Sequence, residues 1–277
     1  MFPTIDTLLG FGPAIDTHYA FVLLGLMAAG FLYWWELRRR GVKDPRMPWL
    51  VIGALTGGSI MARLGTWVQH LDFSQNLPFT EHMIRGNASI LSGLVGAWLG
   101  VHIAKKIVGY RERTGDYFAP AVCVALILGR IGCFLTENPG APTRGGWGIV
   151  LTPEQAEYTG SIAGVGLHPS FVYEIAFHVV MFAVMWFWLR HSRLAPGEML
   201  TVYIGAYAVF RFFVEFVRAN EVAFLGLTRP QMFLLVTIPL FAARLVWLHR
   251  RGRLLVAPAR LTNQTHPLEV SHDARRR

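Results

Sequence analysis

The sequence predicts an all-α polytopic membrane protein with seven transmembrane helices, its N-terminus outside and its C-terminus cytoplasmic. Three observations carry that expectation. Only 16% of the 277 residues are charged and 53% are hydrophobic, against roughly 25% charged in an ordinary soluble domain. The charges gather in clusters between apolar blocks, several of which reach the ~18 residues that a bilayer span requires. The clusters also alternate: 38–46, 105–113, 190–193 and 250–253 each hold several Arg or Lys, whereas the intervening segments offer only Arg85, Arg144 and Arg229 as clear loop bases. The positive-inside rule places the rich set in the cytoplasm. A net charge of +9 is then explained by topology and an anionic leaflet rather than by nucleic acid.

The first span, about 19–37, follows a segment whose only charges are Asp6 and Asp16; with nothing basic before it, it is not a secretory signal. The second, about 49–68, carries Arg63. The third, about 88–108, holds Gly93, Gly96 and Gly100 with Ser89 and Ser92, a small-residue stripe suited to close helix packing. The fourth, about 118–135, ends on Gly129-Arg130-Ile131-Gly132-Cys133, with Asp116 before it as an expected N-cap. The fifth, about 170–189, opens on His168-Pro169, Pro being suited to a first helical turn. Glu174 and His178 are four apart there and can face one another across a turn. The sixth and seventh run from about 198 to 217 and about 230 to 249. Trp34, Trp35, Trp49, Trp67, Trp186, Trp188 and Trp247 lie near span ends, as an interfacial belt requires.

Residues 1–256 are thus expected to form one seven-helix transmembrane domain, and 257–277 a polar, disordered cytoplasmic tail. Two longer external segments, about 69–87 and about 136–169, are expected, the second rich in Gly, Pro and Thr. Cys123 and Cys133 fall on one helix, some 15 Å apart along the axis, out of disulfide reach. They give no metal pattern.

Ionisable groups inside spans cost ~2.5–3.5 kcal/mol or more each unless paired or facing water. In the sixth span Tyr207, Arg211, Glu215 and Arg218 follow i, i+4, i+8, i+11 spacing and form one polar stripe. An internal Arg–Glu pair that neutralises itself is one reading; Arg218 adds a second cation and tilts the stripe toward an anion site. Arg130, Arg218, His168 and Tyr19 all fall toward the outer face, with Arg211 and Glu215 deeper. Cations at that depth suit a lipid phosphate better than a transported ion. For Tyr19 beside His18 the plainer role is an interfacial anchor, and for His168 with Tyr173 it is a helix start with an interfacial tyrosine. A retinal receptor needs a lysine in its last span, and 230–248 has none. A carrier favours an internal repeat with broken helices, and neither is found.

The stretches "GRIGCF" (129–134), "HPSFVYE" (168–174) and "YAVFRFFVEFVR" (207–218), in this order, resemble the prolipoprotein diacylglyceryl transferase family of bacterial inner membranes. "GDYFAPAVCVALILGRIG" (115–132) extends the likeness and "ARLG" (62–65) adds weakly to it; it runs from Tyr19 to about Arg250. The resemblance implies a multi-pass transferase of the bacterial cell (inner) membrane. Such an enzyme moves the sn-1,2-diacylglyceryl group of phosphatidylglycerol to the lipobox cysteine thiol of a preprolipoprotein signal peptide. Glycerol-1-phosphate leaves, and no metal or organic cofactor takes part.

By motif, Arg130 and Arg211 correspond to the family's essential arginines, and Tyr19, Tyr207 and Glu215 to functional positions. His168, Tyr173, Arg218 and Asp116 occupy motif positions, and Gly129 and Gly132 frame Arg130. The expected catalytic set is Arg130, Arg211, Tyr19, Glu215 and His168. The expected substrate-binding set is Arg130, Arg211, Arg218, Tyr207, Gly129, Gly132 and Tyr173. Arginine suits the role because its donor fork matches phosphate oxygens. The nucleophile belongs to the substrate, so neither cysteine is needed as one. Glu215 is expected to be paired with Arg211, which leaves Tyr19 or His168 as the base.

The chain departs from the family at three places. Leu91 stands where the third span usually has histidine, and Cys133 where asparagine follows "GRIG". "TENPGAPTRGGWGI" (136–149) replaces a segment with a glutamate, whose place falls to Glu137 or Asn138. A paralogue with another acceptor and a non-catalytic phospholipid-binding or transport protein are the alternatives these departures raise.

Overall fold

The computed structural model describes residues 1–69 and 77–255. The tail expected at 257–277, part of the 69–87 segment and the Arg85 side chain lie outside that description. The helices are α1 (Ile5–Leu9), α2 (Thr17–Arg39), α3 (Met47–Gln69), α4 (Phe79–Arg85), α5 (Ile90–Val108), α6 (Gly115–Thr136), α7 (Pro153–Thr159), α8 (Ser170–Phe187), α9 (Glu198–Val214) and α10 (Arg229–Arg250). Seven of them (α2, α3, α5, α6, α8, α9 and α10) are long and apolar enough to cross a membrane. They match the seven expected spans to within a few residues at each end.

Local chemistry sets the helix ends. Asp16 Oδ1 accepts from the Tyr19 backbone N–H at 2.9 Å and starts α2. Thr228 and Gln231 form a capping box at the start of α10, with proline in its first turn. Two sequence expectations change. Thr114, not Asp116, is the N-cap of α6. Asp116 Oδ1 instead accepts from the Met199 N–H of α9 at 3.2 Å, because Gly115 packs directly on the Gly197 backbone and brings the two helix starts together. The polar stripe is also not one unbroken helix face: α9 stops at Val214, Glu215–Val217 is a 3-10 turn, and Arg218 is extended with ψ 150°.

α6 is the hub of the bundle and packs on α2, α8 and α9, while α3 and α5 pack chiefly on one another. The α3–α5 seam is glycine on glycine: a methyl group added at Gly57, Gly96 or Gly100 would run into the facing backbone. Gly100→Val is therefore expected to destabilise the protein by about 1–3 kcal/mol through overpacking. Thermal unfolding in detergent checks this, and an unchanged transition contradicts it.

At the end of the bundle that carries the basic clusters, two buried carboxylates organise the arginines. Glu36 pairs with Arg39 and Arg40 at 2.7 Å each and with Arg190 at 3.3 Å. Glu198 pairs with Arg113 at 2.7 Å and Arg244 at 2.6 Å. Arg190 also lies 3.6 Å over the Trp186 ring and Arg38 4.3 Å over Trp34.

At the opposite end, the segment read from sequence only as Gly-, Pro- and Thr-rich holds structure of its own. β1 (Ile149–Val150) pairs antiparallel with β2 (Gly166–Leu167), with α7 between them. Leu151, Ala156 and Leu167 form a small core there. A second hairpin, β3 (Val222–Phe224) with β4 (Leu227–Thr228), joins α9 to α10. Strands of two or three residues are too short to show the alternation that marks a strand in sequence.

Candidate active site

The end of α6, the start of α8 and the end of α9 meet around one carboxylate. A loop wedged between α8 and α9 fixes the α8 start. Ser170 donates from Oγ to the Pro139 carbonyl at 2.5 Å, His168 N–H to Ala141 O at 2.9 Å, and Ala141 N–H to Val217 O at 2.9 Å. Gly140 makes this passage possible, since a side chain there would meet the His168 and Val217 carbonyls at 2.6 Å. One turn further on, Glu174 points into the bundle and is fully buried.

Glu174 Oε2 is 2.7 Å from Arg130 Nη2 and accepts from the Tyr207 hydroxyl at 2.9 Å. Its Oε1 accepts from Arg218 Nη1 at 2.9 Å, with Arg211 Nε at 4.0 Å. Arg211 Nη1 pairs with Glu215 Oε2, the pairing expected from the sequence. Glu215 Oε1 in turn accepts from Asn220 Nδ2 at 2.5 Å and Thr228 Oγ1 at 2.9 Å. Arg218 and Arg130 both lie over the Phe171 ring, at 4.5 and 5.7 Å. Five residues identified from sequence (Arg130, Arg211, Arg218, Tyr207 and Glu215) are thus brought together.

Three guanidiniums face two carboxylates, so the cluster carries one excess positive charge. Burial and the neighbouring Arg211 and Arg130 lower the Arg218 pKa from its ordinary value, yet an arginine remains charged. One of the cluster's guanidiniums also keeps donors that are not fully engaged. Among the described residues Arg130 Nε is buried without a hydrogen-bond partner, and its Nη1 reaches only Cys133 Sγ, at 3.8 Å. A buried cation with unsatisfied donors is costly alone, and an anion placed there relieves that cost.

The remaining expected residues are placed differently. Gly132 lets α2 approach, since a methyl there would lie 2.9 Å from Phe21 Cβ. Gly129 faces open space, so no packing contact requires it. The Tyr19 side chain is outside the cluster: it is 66% exposed and its ring lies edge-on to His18. His168 Nδ1 and the Tyr173 hydroxyl are 3.3 Å apart, with Trp147 edge-on to His168; this pair flanks the wedge loop rather than joining the Glu174 network. Arg63 is a tie between helices, donating to the Met83 and Ile84 carbonyls of α4 at 3.0 and 2.6 Å. Asn138 organises its own loop, accepting from Gly140 N–H and Ser161 Oγ, whereas Glu137 reaches His18.

Glu174 itself was visible in sequence as part of a helix start and as a residue able to face His178 across a turn. The other polar atoms around it come from α6, α9 and the residues after α9, so no spacing announces them. The available signal was a carboxylate one turn inside an apolar span. His178, four residues on, turns instead to Tyr203, whose hydroxyl lies 2.9 Å from Nδ1. Cys123 and Cys133 are both buried and free, as their spacing requires.

A family model described as prolipoprotein diacylglyceryl transferase matches residues 7–249, which include the whole arginine cluster. The chain is similar to three curated proteins named phosphatidylglycerol–prolipoprotein diacylglyceryl transferase. That of Chromohalobacter salexigens is 33% identical over 276 residues, covering 90% of this chain and 95% of the relative. That of Nitratidesulfovibrio vulgaris is 30% identical over 273 residues, covering 91% and 96%. That of Gloeobacter violaceus is 31% identical over 215 residues, covering 76% and 78%.

Proposed function

Because the chain belongs to the prolipoprotein diacylglyceryl transferase family, we propose that it transfers the sn-1,2-diacylglyceryl group of phosphatidylglycerol to the lipobox cysteine thiol of preprolipoproteins. The observation that carries this reading is the arginine cluster, with its excess positive charge and the unpartnered buried Nε of Arg130. In this reading the lipid phosphate sits against Arg130 and Arg211. Glu174 and Tyr207 hold one edge of Arg130; Glu215, itself held by Asn220 and Thr228, fixes Arg211. Fixed cations aimed at the charge that develops on a leaving phosphate stabilise the transition state without reorganisation.

The acceptor thiol gives its proton to a base, Tyr19 or His168, and its sulfur bonds to the glyceryl carbon while the C–O bond to the phosphate breaks and glycerol-1-phosphate departs. Tyr19 and His168, with Tyr173 beside it, are the proposed groups on the acceptor's side. Residues 1–256 act as one membrane domain of the bacterial inner membrane. The arginine-cluster end faces outward, where translocated signal peptides arrive, and the basic end and the 257–277 tail face the cytoplasm, in accord with the loop charges.

Vesicles of labelled phosphatidylglycerol containing the purified protein test the reading. A lipobox peptide with cysteine is expected to acquire the label as a thioether, and the same peptide with serine to acquire none. A folded protein that labels neither peptide, or both alike, contradicts it.

A further inference from the structure

At the basic end of the bundle the last turns of α2 and α8 are joined through rings. Trp35 stacks on Trp186 at 5.2 Å, and Trp186 on Phe182 at 5.3 Å. Just beyond α8, Leu189–His191 forms a 3-10 turn, and the Arg190 guanidinium lies 3.6 Å over the Trp186 ring. Arg39 lies over the other tryptophan, 5.9 Å from the Trp35 ring. Two cations thus cap one aromatic stack.

Glu36 joins these cations but cannot satisfy them. Its Oε1 accepts from Arg39 Nη2 and Arg40 Nε at 2.7 Å each. Its Oε2 accepts from Arg39 Nε at 3.0 Å and from Arg190 Nη2 at 3.3 Å. A carboxylate has about four lone-pair sites, so Glu36 has nothing further to offer Arg190. The Arg190 side chain is only 9% exposed, and its Nε is buried without a hydrogen-bond partner among the described residues. Stacking on Trp186 does not meet that need, because guanidinium N–H donors lie in the plane of the group. Asp116 adds a second acid, 3.9 Å from Arg40. Three guanidiniums therefore face two carboxylates, and one positive charge is in excess.

A buried cation with an unmet donor is costly, and an anion with several acceptor oxygens removes that cost. Phosphate oxygens match the planar donor fork of arginine, and their charge balances the excess. The rings beneath the cations give acyl chains a surface to lie on. Phe187 and Trp188, a few residues before Arg190, are 72% and 75% exposed. Aromatic rings below and arginines above are the surroundings of a phospholipid headgroup at a membrane surface. Glu174 sits in the first turns of α8 and Arg190 beyond its last, so this group is separate from the arginine cluster.

We propose that Arg190, with Arg39 and Arg40, binds the phosphate of an anionic phospholipid in the leaflet at the basic end of the bundle. The bound lipid ties the end of α2 to the end of α8 and takes no part in transfer.

The test uses the purified full-length protein in phosphatidylcholine vesicles holding a small share of phosphatidic acid with a photoreactive group beside its phosphate. After illumination, digestion and mass spectrometry, label is expected on segments 35–40 and 182–193. Arg190→Gln keeps a side chain over Trp186 but removes the charge. It should cut that label at least about tenfold, the scale of losing a charged hydrogen-bond partner. Arg190→Lys keeps the charge without the fork and should fall between the two. Thermal unfolding in detergent establishes that each variant is folded, and Arg190→Lys decides alone if Arg190→Gln is not. Unlabelled phosphatidic acid should displace the label, and a large excess of inorganic phosphate should not. Displacement by inorganic phosphate as well overturns the lipid and leaves a site for free phosphate. Absence of label from both segments overturns the proposal, as does labelling of either folded variant equal to that of the wild type.

Discussion

Glu174→Ala is expected to lower stability by about 3–5 kcal/mol, the scale of breaking a buried ion pair from one side. The carboxylate is fully buried and touches Arg130, Arg218 and the Tyr207 hydroxyl at 2.7–2.9 Å, with Arg211 at 4.0 Å. Removing it leaves three guanidiniums and a single carboxylate, Glu215, in one enclosed space. The three charges then repel one another, and the ends of α6, α8 and α9 separate. Glu174→Gln keeps the shape and one acceptor oxygen and should cost less, yet still more than a surface substitution. Denaturant or thermal unfolding in detergent reads the difference, with Glu154→Ala on the exposed face of α7 as reference. A Glu174→Ala loss below about 1 kcal/mol means that the carboxylate does not hold the cluster together as described.

The second large effect is on rate. Arg130→Ala should reduce transfer roughly 10²–10³-fold, the usual result of removing one donor preorganised for a developing anion. Arg130 keeps a buried donor to offer: Nη2 is engaged by Glu174 and Tyr207, while Nε has no partner among the described residues. Arg130→Lys keeps the charge but has no planar fork, and its ammonium would fall to Glu174; it should recover little. Arg218→Ala should lose less, because its Nη1 is already committed to Glu174. Initial rates of thioether formation at saturating peptide measure all three. A rate for Arg130→Ala within about threefold of the wild type would remove Arg130 from the phosphate site.

Much of this was legible in the sequence because membranes impose strict rules. Seven spans follow from apolar length, and the polar stripe Tyr207–Arg211–Glu215 stands out against phenylalanine and valine. Arg130 was legible for the same reason. Glu174 and His18 were not, since what makes them notable is the helix that each faces, and those partners lie 44 residues away for Glu174 with Arg218 and 115 for His18 with Cys133. Tyr19 was drawn in by motif, whereas in the fold the adjacent His18 turns toward α6 and Tyr19 turns out. Asp116 shows the converse: an acid at a helix start reads as that helix's own cap, and only the contact of Gly115 with Gly197 redirects it to α9.

The central claim is that the arginine cluster acts on the phosphate of a lipid, so the bond that breaks should be the one between the glyceryl carbon and the phosphate oxygen. Mass spectrometry of a lipobox peptide after reaction in phosphatidylglycerol vesicles, with parallel assay of the released headgroup, reads that bond directly. The account predicts a peptide carrying a whole diacylglyceryl group in thioether linkage and an equal amount of glycerol-1-phosphate. A peptide carrying a single acyl chain, or one modified without any release of glycerol-1-phosphate, would contradict it.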